Sequence, residues 1–222
     1  MERIINITLT KNRGRFTWAE EDKPVTISSD SISIVAYQAD YLNRLAEIYA
    51  LVFNAQNKRK YTNVPDAKLA WDEDVWTLDS AQKQLTSELE AENCTRLVAI
   101  SNSIPVGFIV ARIIDTKSLS EICGSLDTAR KIAQEAGACK TLLWEDAGVL
   151  NIIDPNGNKI KGVGTSLYQN MARVADSLGI VSTGRTAPGS NAEYILPKVD
   201  FVRTDIQDGK DISRYWLIRQ SK

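Results

Sequence analysis

The stretch from Thr141 to Gly179 constrains this chain more than any other. A long apolar run, TLLWEDAGVLNII, is stopped by Asp154-Pro155-Asn156-Gly157. A basic, glycine-containing stretch follows, Lys159-Ile160-Lys161-Gly162-Val163-Gly164-Thr165-Ser166-Leu167, and then an apolar stripe at Leu167, Met171, Val174 and Leu178 that Gly179 closes. The first run reads as a buried strand, with Gly148 marking a bulge or the close approach of another backbone. The stripe has helical spacing and ends on a residue suited to a left-handed cap. Between strand and helix, the glycines let a ligand approach the backbone, and the free N–H groups of the first helical turn attract negative charge. The expected element is therefore a pyrophosphate cradle.

Two familiar phosphate motifs do not fit it. A Walker loop aligned from Gly157 to Gly162 puts Val163 and Gly164 where a lysine and a Ser/Thr must neutralise phosphate and hold magnesium. A dinucleotide fingerprint needs glycine at Leu167 and a preceding strand-helix-strand unit, and has neither.

The rest of the chain supplies a mixed α/β frame. Residues 1–31 read as a β-rich extension, IINITLT, RFTW and PVTIS, that could extend the sheet, cover an edge or pair with a second copy in a homodimer. Leu42, Leu45, Ile48, Tyr49 and Val52 predict a helix over 41–53 with Asp40 as its cap, and Thr77 opens a second helix through about Glu92. RLVAIS and VGFIVARIID predict a hairpin turning at Ser103-Ile104-Pro105, and 116–139 predicts a helical insertion with Ser125 as a cap and Gly137 as a stop. IVSTGR predicts a strand, 190–198 a short helix, and FVRTD and RYWLIR a closing pair.

With 27 basic and 28 acidic side chains, the net charge of −1 gives no overall field to hold nucleic acid, and Lys58-Arg59-Lys60 is too short to supply one. No apolar run reaches about 18 residues, and the opening MERIINITLTKNRGR is charged, so neither a membrane partner nor export is expected and the chain should be cytoplasmic. There is no histidine, and Cys94, Cys123 and Cys139 lack metal spacing. No metal is expected, and the thiols read as small buried hydrophobes.

Lys159, Gly162 and Gly164 resemble the (Arg/Gln)-x-x-Gly-x-(Gly/Ala) motif of the GNAT superfamily of N-acetyltransferases, with lysine for the usual first residue and one extra residue in the loop before it. The order of elements resembles that family over roughly residues 32–219. The resemblance implies a mostly antiparallel sheet flanked by helices, whose fourth and fifth strands splay to admit the pantetheine arm of acetyl-CoA, with a bulge near Gly148–Ile153. It implies that Ile152, Ile153, Lys159, Ile160, Lys161, Gly162, Val163, Gly164, Thr165, Ser166 and Asn191 hold this donor, and that a primary amine of a small molecule or peptide accepts the acetyl group.

For the chemistry, the resemblance implies a carboxylate base on the long strand, the place of Glu145 beside Asp146. The family's acid is a tyrosine in Leu-Tyr-x-Lys-x-Gly-Phe. Here the matching stretch is Ile195-Leu196-Pro197-Lys198-Val199-Asp200-Phe201, so Leu196 takes the tyrosine position and Tyr194, two residues earlier, is the remaining candidate. The resemblance implies that the connection of the first two helices lines the acceptor site, and there the acidic stretch Trp71-Asp72-Glu73-Asp74-Val75-Trp76 offers Trp71, Asp72, Asp74 and Trp76 to a cationic acceptor. The alternative function is an acyl-CoA-binding sensor or partner-binding module with little or no transfer.

Overall fold

The most apolar stretches of the chain form its central strands, and short polar side chains at most helix starts satisfy the free N–H groups there. The computed structural model describes residues 25–26, 32–61, 76–91, 93–154, 156–188, 190–210 and 214–222. Along them lie β1 (Val25–Thr26), β2 (Ser33–Ala36), α1 (Leu42–Tyr61), α2 (Leu78–Glu90), β3 (Cys94–Ser101), β4 (Ile104–Asp115), α3 (Thr116–Cys123) and α4 (Leu126–Ala136). They are followed by β5 (Lys140–Val149), β6 (Ile152–Ile153), α5 (Val163–Leu178), β7 (Ser182–Thr186), α6 (Asn191–Ile195), β8 (Val202–Gln207) and β9 (Tyr215–Arg219).

Seven strands make one sheet in the order β2-β3-β4-β5-β7-β9-β8; β5 and β7 run parallel and the other neighbours antiparallel. This is the mostly antiparallel, helix-flanked sheet expected from the sequence. β1 and β6 form a separate parallel pair. On one face, Tyr49 of α1 stacks on Phe108 of β4 with ring centroids 6.1 Å apart. On the other, Leu167 of α5 lies 3.4 Å from where a Cβ on Gly107 would stand. The core between them includes Leu45, Ile48, Leu85, Ile109, Leu142 and Met171, each buried. Residues 116–139 form α3 and α4, which pack a second cluster of Leu119, Cys123, Ala129 and Ile132 against Ile114, Leu143 and Trp216 of the sheet.

Most helix limits follow the capping residues. Thr77 and Ser80 form a reciprocal box at α2, Ser125 caps α4, and Gly137 and Gly179 end α4 and α5 with φ of 64° and 61°. Asp40 is not the cap of α1. A 3-10 turn, Ala39–Tyr41, precedes the helix, and Gln38 at its start makes no side-chain cap bond; Asp40 sits in that first turn, where a negative charge still favours the helix dipole. The β3–β4 hairpin turns on Asn102 and Ser103, at φ 49° and 64°, one residue before the expected place. Two successive left-handed residues make the tight turn that matches strand twist. Pro105 is paired in β4, where the β3 register shifts.

The bulge in β5 lies at Glu145, not at Gly148 or in the stretch Gly148–Ile153. Val110 pairs with Asp146 and Ala111 with Trp144, leaving Glu145 as the extra residue. Gly148 keeps regular pairing opposite Phe108, and it is small because a Cβ there would stand 3.0 Å from the Phe108 ring and 3.6 Å from Ile48.

Candidate functional site

The site begins where two parallel strands separate. β5 pairs with β7 at Leu142, Leu143 and Trp144, opposite Ser182, Thr183 and Gly184. β5 continues to Val149, beyond the last of these pairs. The bulge sits at this divergence and changes which edge each backbone group faces. Before it, the Leu142 N–H points toward β7 and bonds the Val181 carbonyl at 2.9 Å; after it, the Leu150 N–H points toward β4 and bonds the Val106 carbonyl at 3.0 Å.

Past β5 the chain builds the cradle. β6 turns back on itself: Asp154 N–H bonds the Asn158 carbonyl at 2.9 Å, and Ile160 N–H bonds the Ile152 carbonyl at 2.9 Å. The Asp154 carboxylate accepts the N–H groups of Asn156 and Asn158 and the Asn158 amide, which holds it below its ordinary pKa. Lys159 bridges to Ile153, and Lys159 and Lys161 are exposed. Gly162 is the N-cap of α5 at φ 87°, a left-handed geometry open to glycine at little strain, and it offers no side-chain acceptor to the helix. The first intrahelical bond is that of Ser166 N–H to the Gly162 carbonyl, at 2.8 Å. The N–H groups of Val163, Gly164 and Thr165 therefore precede the helical ladder, the arrangement that receives an anion. Among the described residues, nothing lies within 4 Å of the Cβ position of Gly162, whereas one at Gly164 would touch Ile195 at 3.4 Å and Val149 at 3.8 Å. Basic, glycine-lined and without a capping side chain, this turn fits the pyrophosphate of a nucleotide-containing donor.

At the bulge two successive carboxylates face the side of the sheet covered by α1 and α2. Glu145 accepts a bond from Arg112 at 2.6 Å, and its Oε2 is buried without a partner among the described residues. Asp146 accepts from the Tyr49 phenol at 3.1 Å and lies within hydrogen-bonding reach of Glu88 on α2. Burial raises the pKa of Glu145 against the opposing pull of Arg112. Burial, and next the neighbouring Asp146, raises Glu88; burial likewise raises Asp146, against the bonds from Glu88 and Tyr49 that lower it. Burial, followed by the Asp146 charge, also raises the Tyr49 phenol. The sequence reading gives Tyr49, Glu88 and Arg112 no place in the site, although a phenol within an apolar helical stripe and an arginine within a central strand both signal buried partners.

At the mouth of β7, the Ser190 hydroxyl caps Glu193 N–H of α6 at 3.3 Å and bonds the Thr186 hydroxyl at 2.6 Å, tying the strand end to the helix start. Asn191 is the exposed first residue of α6, and Tyr194 on the same helix is 64% exposed. Leu196 is buried in the main core. The Tyr215 phenol donates to Glu193 at 2.7 Å; burial, then this carboxylate, pushes its pKa up to about 12. Trp76 packs edge-on against Tyr49, 4.8 Å between centroids, next to the acidic cluster. Trp71, Asp72 and Asp74 lie outside the described residues, as does nearly all of the 1–31 extension.

A sheet parted between two parallel strands, with a glycine cradle opening the helix between them, is the GNAT fold. No family model and no curated protein matches the chain. Solved structures do. The PaiA N-acetyltransferase of Thermoplasma acidophilum, solved with coenzyme A, superposes with TM-score 0.54 at 14% identity, covering 86% of this chain and 99% of that one. A mosquito arylalkylamine N-acetyltransferase-like protein gives 0.57 at 16% identity, over 86% and 100%. The Drosophila melanogaster polyamine N-acetyltransferase gives 0.57 at 13%, over 86% and 100%. At these identities the likeness is one of fold. No described helix is long and apolar enough to cross a membrane.

Proposed function

We propose that this chain is an acyl-CoA-dependent N-acetyltransferase that moves an acetyl group from acetyl-CoA directly to a primary amine in the cytosol. The observation that carries this reading is the left-handed Gly162 opening α5 beside the parting of β5 and β7. The three solved relatives are described as N-acetyltransferases, one of them in complex with coenzyme A, and their kind of chemistry supports the same assignment. Lys159, Lys161 and the N–H groups of Val163, Gly164 and Thr165 take the pyrophosphate, with the Thr165 and Ser166 hydroxyls and Ile160 alongside. The backbone of Ile153, with Ile152 beside it, and the side chain of Asn191 hold the pantetheine arm.

Transfer forms the amide C–N bond and breaks the thioester C–S bond, so the amine must lose a proton and the thiolate must gain one. Glu145 accepts the amine's proton through water: burial raises its basicity and its Oε2 has acceptor capacity to spare. Tyr194 returns a proton to the thiolate. Trp71, Asp72, Asp74 and Trp76 form the acceptor wall and select a cationic amine; unchanged acceptor affinity in an Asp72→Asn, Asp74→Asn double variant would remove them from that role.

The test is calorimetric titration of acetyl-CoA into the wild type, Gly164→Ala and Gly164→Glu. The alanine methyl meets only ordinary contacts and controls for folding. Binding to the first two and a loss of at least about 100-fold in the third, in line with charge and bulk placed in an anion site, are expected. No binding to the wild type overturns the reading.

A second reading is favoured by one observation. The residue at the family's acid position, Leu196, is in the core, and Tyr194 is turned to solvent. A chain that binds acyl-CoA without rapid transfer would serve as a sensor. Turnover above background hydrolysis across a panel of amines selects the enzyme, and binding without it selects the sensor.

A further inference from the structure

We infer that β1, the part of the amino-terminal extension seen in the structure, is an internal competitor of the acyl donor. This rests on the acyl-CoA reading above and extends it to regulation of the same cleft.

The argument is one of strand edges. Backbone groups of alternate residues face alternate edges of a strand. After the bulge, the Leu150 N–H bonds Val106 of β4, and, two residues on, the Ile152 carbonyl accepts from Ile160; carrying the alternation through Asn151 puts both on the β4 side. Ile160 and Lys159 thus fill that side of β6. β1 pairs with the same two residues, Val25 with Ile152 and Thr26 with Ile153, and must lie on the opposite edge. In the sheet order β4-β5-β7, the opposite edge is the one that faces the gap between β5 and β7. The chain's own strand therefore occupies the edge of Ile153 that an extended pantetheine arm would use, immediately before the cradle at Gly162.

The tether permits this. From Thr26 to Ser33 the chain can span roughly 24 Å, against roughly 19 Å for the four strand spacings from β2 to a strand on the far edge of β6. So short a connection holds β1 at an effective concentration on the order of millimolar, against which the free donor must compete. The pairing is only two residues long, so β1 is a strand that can be displaced rather than a fixed wall. Donor affinity is then set by the fraction of molecules in which β1 is undocked.

The experiment uses the full chain with Cys139→Ser to remove the exposed thiol. Thr26→Cys with Ile153→Cys locks β1 on β6 under oxidising conditions, since directly paired residues on neighbouring strands lie within disulfide reach. Val25→Pro with Thr26→Pro removes both amide donors of β1 and releases it. Acetyl-CoA titration is expected to show no binding to the oxidised staple, recovery on reduction, and roughly tenfold tighter binding to the proline variant than to the wild type. Full binding by the oxidised staple, or a proline variant no tighter than the wild type, overturns the competitor role alone. No binding by any form overturns the acyl-CoA reading and the competitor together. Should the proline variant not fold, the oxidised and reduced staple decide between these outcomes by themselves.

Discussion

Successive residues of a regular strand point to opposite faces, yet Glu145 and Asp146 both meet partners on the side of α1 and α2. Glu145 reaches Arg112, which shares the face of Phe108 and Val110, and Asp146 reaches Tyr49. The inserted residue of the bulge produces this pairing of charges. A carboxyl whose pKa is raised on folding stabilises the native state fully below its unfolded pKa, and that contribution is lost as pH climbs through the folded value. For Glu88 and Asp146 both shifts are upward. Stability measured by urea denaturation should accordingly fall as pH rises from about 4.5 into the alkaline range. In Glu88→Gln the slope should flatten, with a gain on the order of 1 kcal/mol at the alkaline end. At the same scale, Glu145→Gln should lower kcat by roughly 100-fold or more while leaving acetyl-CoA affinity within about twofold, and should abolish the acid limb of the pH–rate profile. An unchanged limb would assign the proton to another group.

Among the elements, α5 is fastened at its far end by the last strand. Arg219 of β9, 2% exposed, makes two bonds to Asp176 of α5 at 2.9 and 2.7 Å and donates from Nε to the Val199 carbonyl at 2.9 Å. The Lys222 N–H also bonds Asp176, at 2.9 Å. Removing the carboxylate strands a guanidinium inside the protein, so Asp176→Ala should cost about 3–5 kcal/mol. For a chain of this size that lowers Tm by on the order of 10 °C, readable by calorimetry. Because the clamp holds the end of α5 away from Gly162, acetyl-CoA should still bind once the variant is folded. Helix and strand types were legible at this scale, because periodicity and caps such as Thr77, Ser125, Gly137 and Gly179 are local signals. The β3–β4 turn was misplaced by one residue because Pro105 reads as a breaker, whereas it pairs within β4 at a register shift.

Across the whole molecule, the sheet consists of β2 to β5 and β7 to β9, joined by three paired positions between β5 and β7. A donor lying in the gap would bridge the two parts, and binding to the native state alone stabilises it by mass action. Acetyl-CoA at about 100 times its Kd should raise Tm by roughly 5–10 °C. At equal acetyl-CoA concentration, a larger rise in the Val25→Pro, Thr26→Pro variant than in the wild type would locate the barrier in β1.

The sequence by itself determined the glycine turn that opens α5, because Gly162 and Gly164 stand at the start of an apolar helical stripe. It also determined the order of elements, and the resemblance carried by that order implied the parted sheet. Only the tertiary structure decided the bulge at Glu145, since a bulge is a mismatch of register between two strands and neither strand carries it alone. It alone decided the acidic cluster, in which Tyr49 meets Asp146 across 97 residues and Arg112 meets Glu145 across 33. It alone placed β1 on the open edge of β6, because any strand edge offers the same backbone donors and acceptors to any extended partner, and only packing selects which one docks.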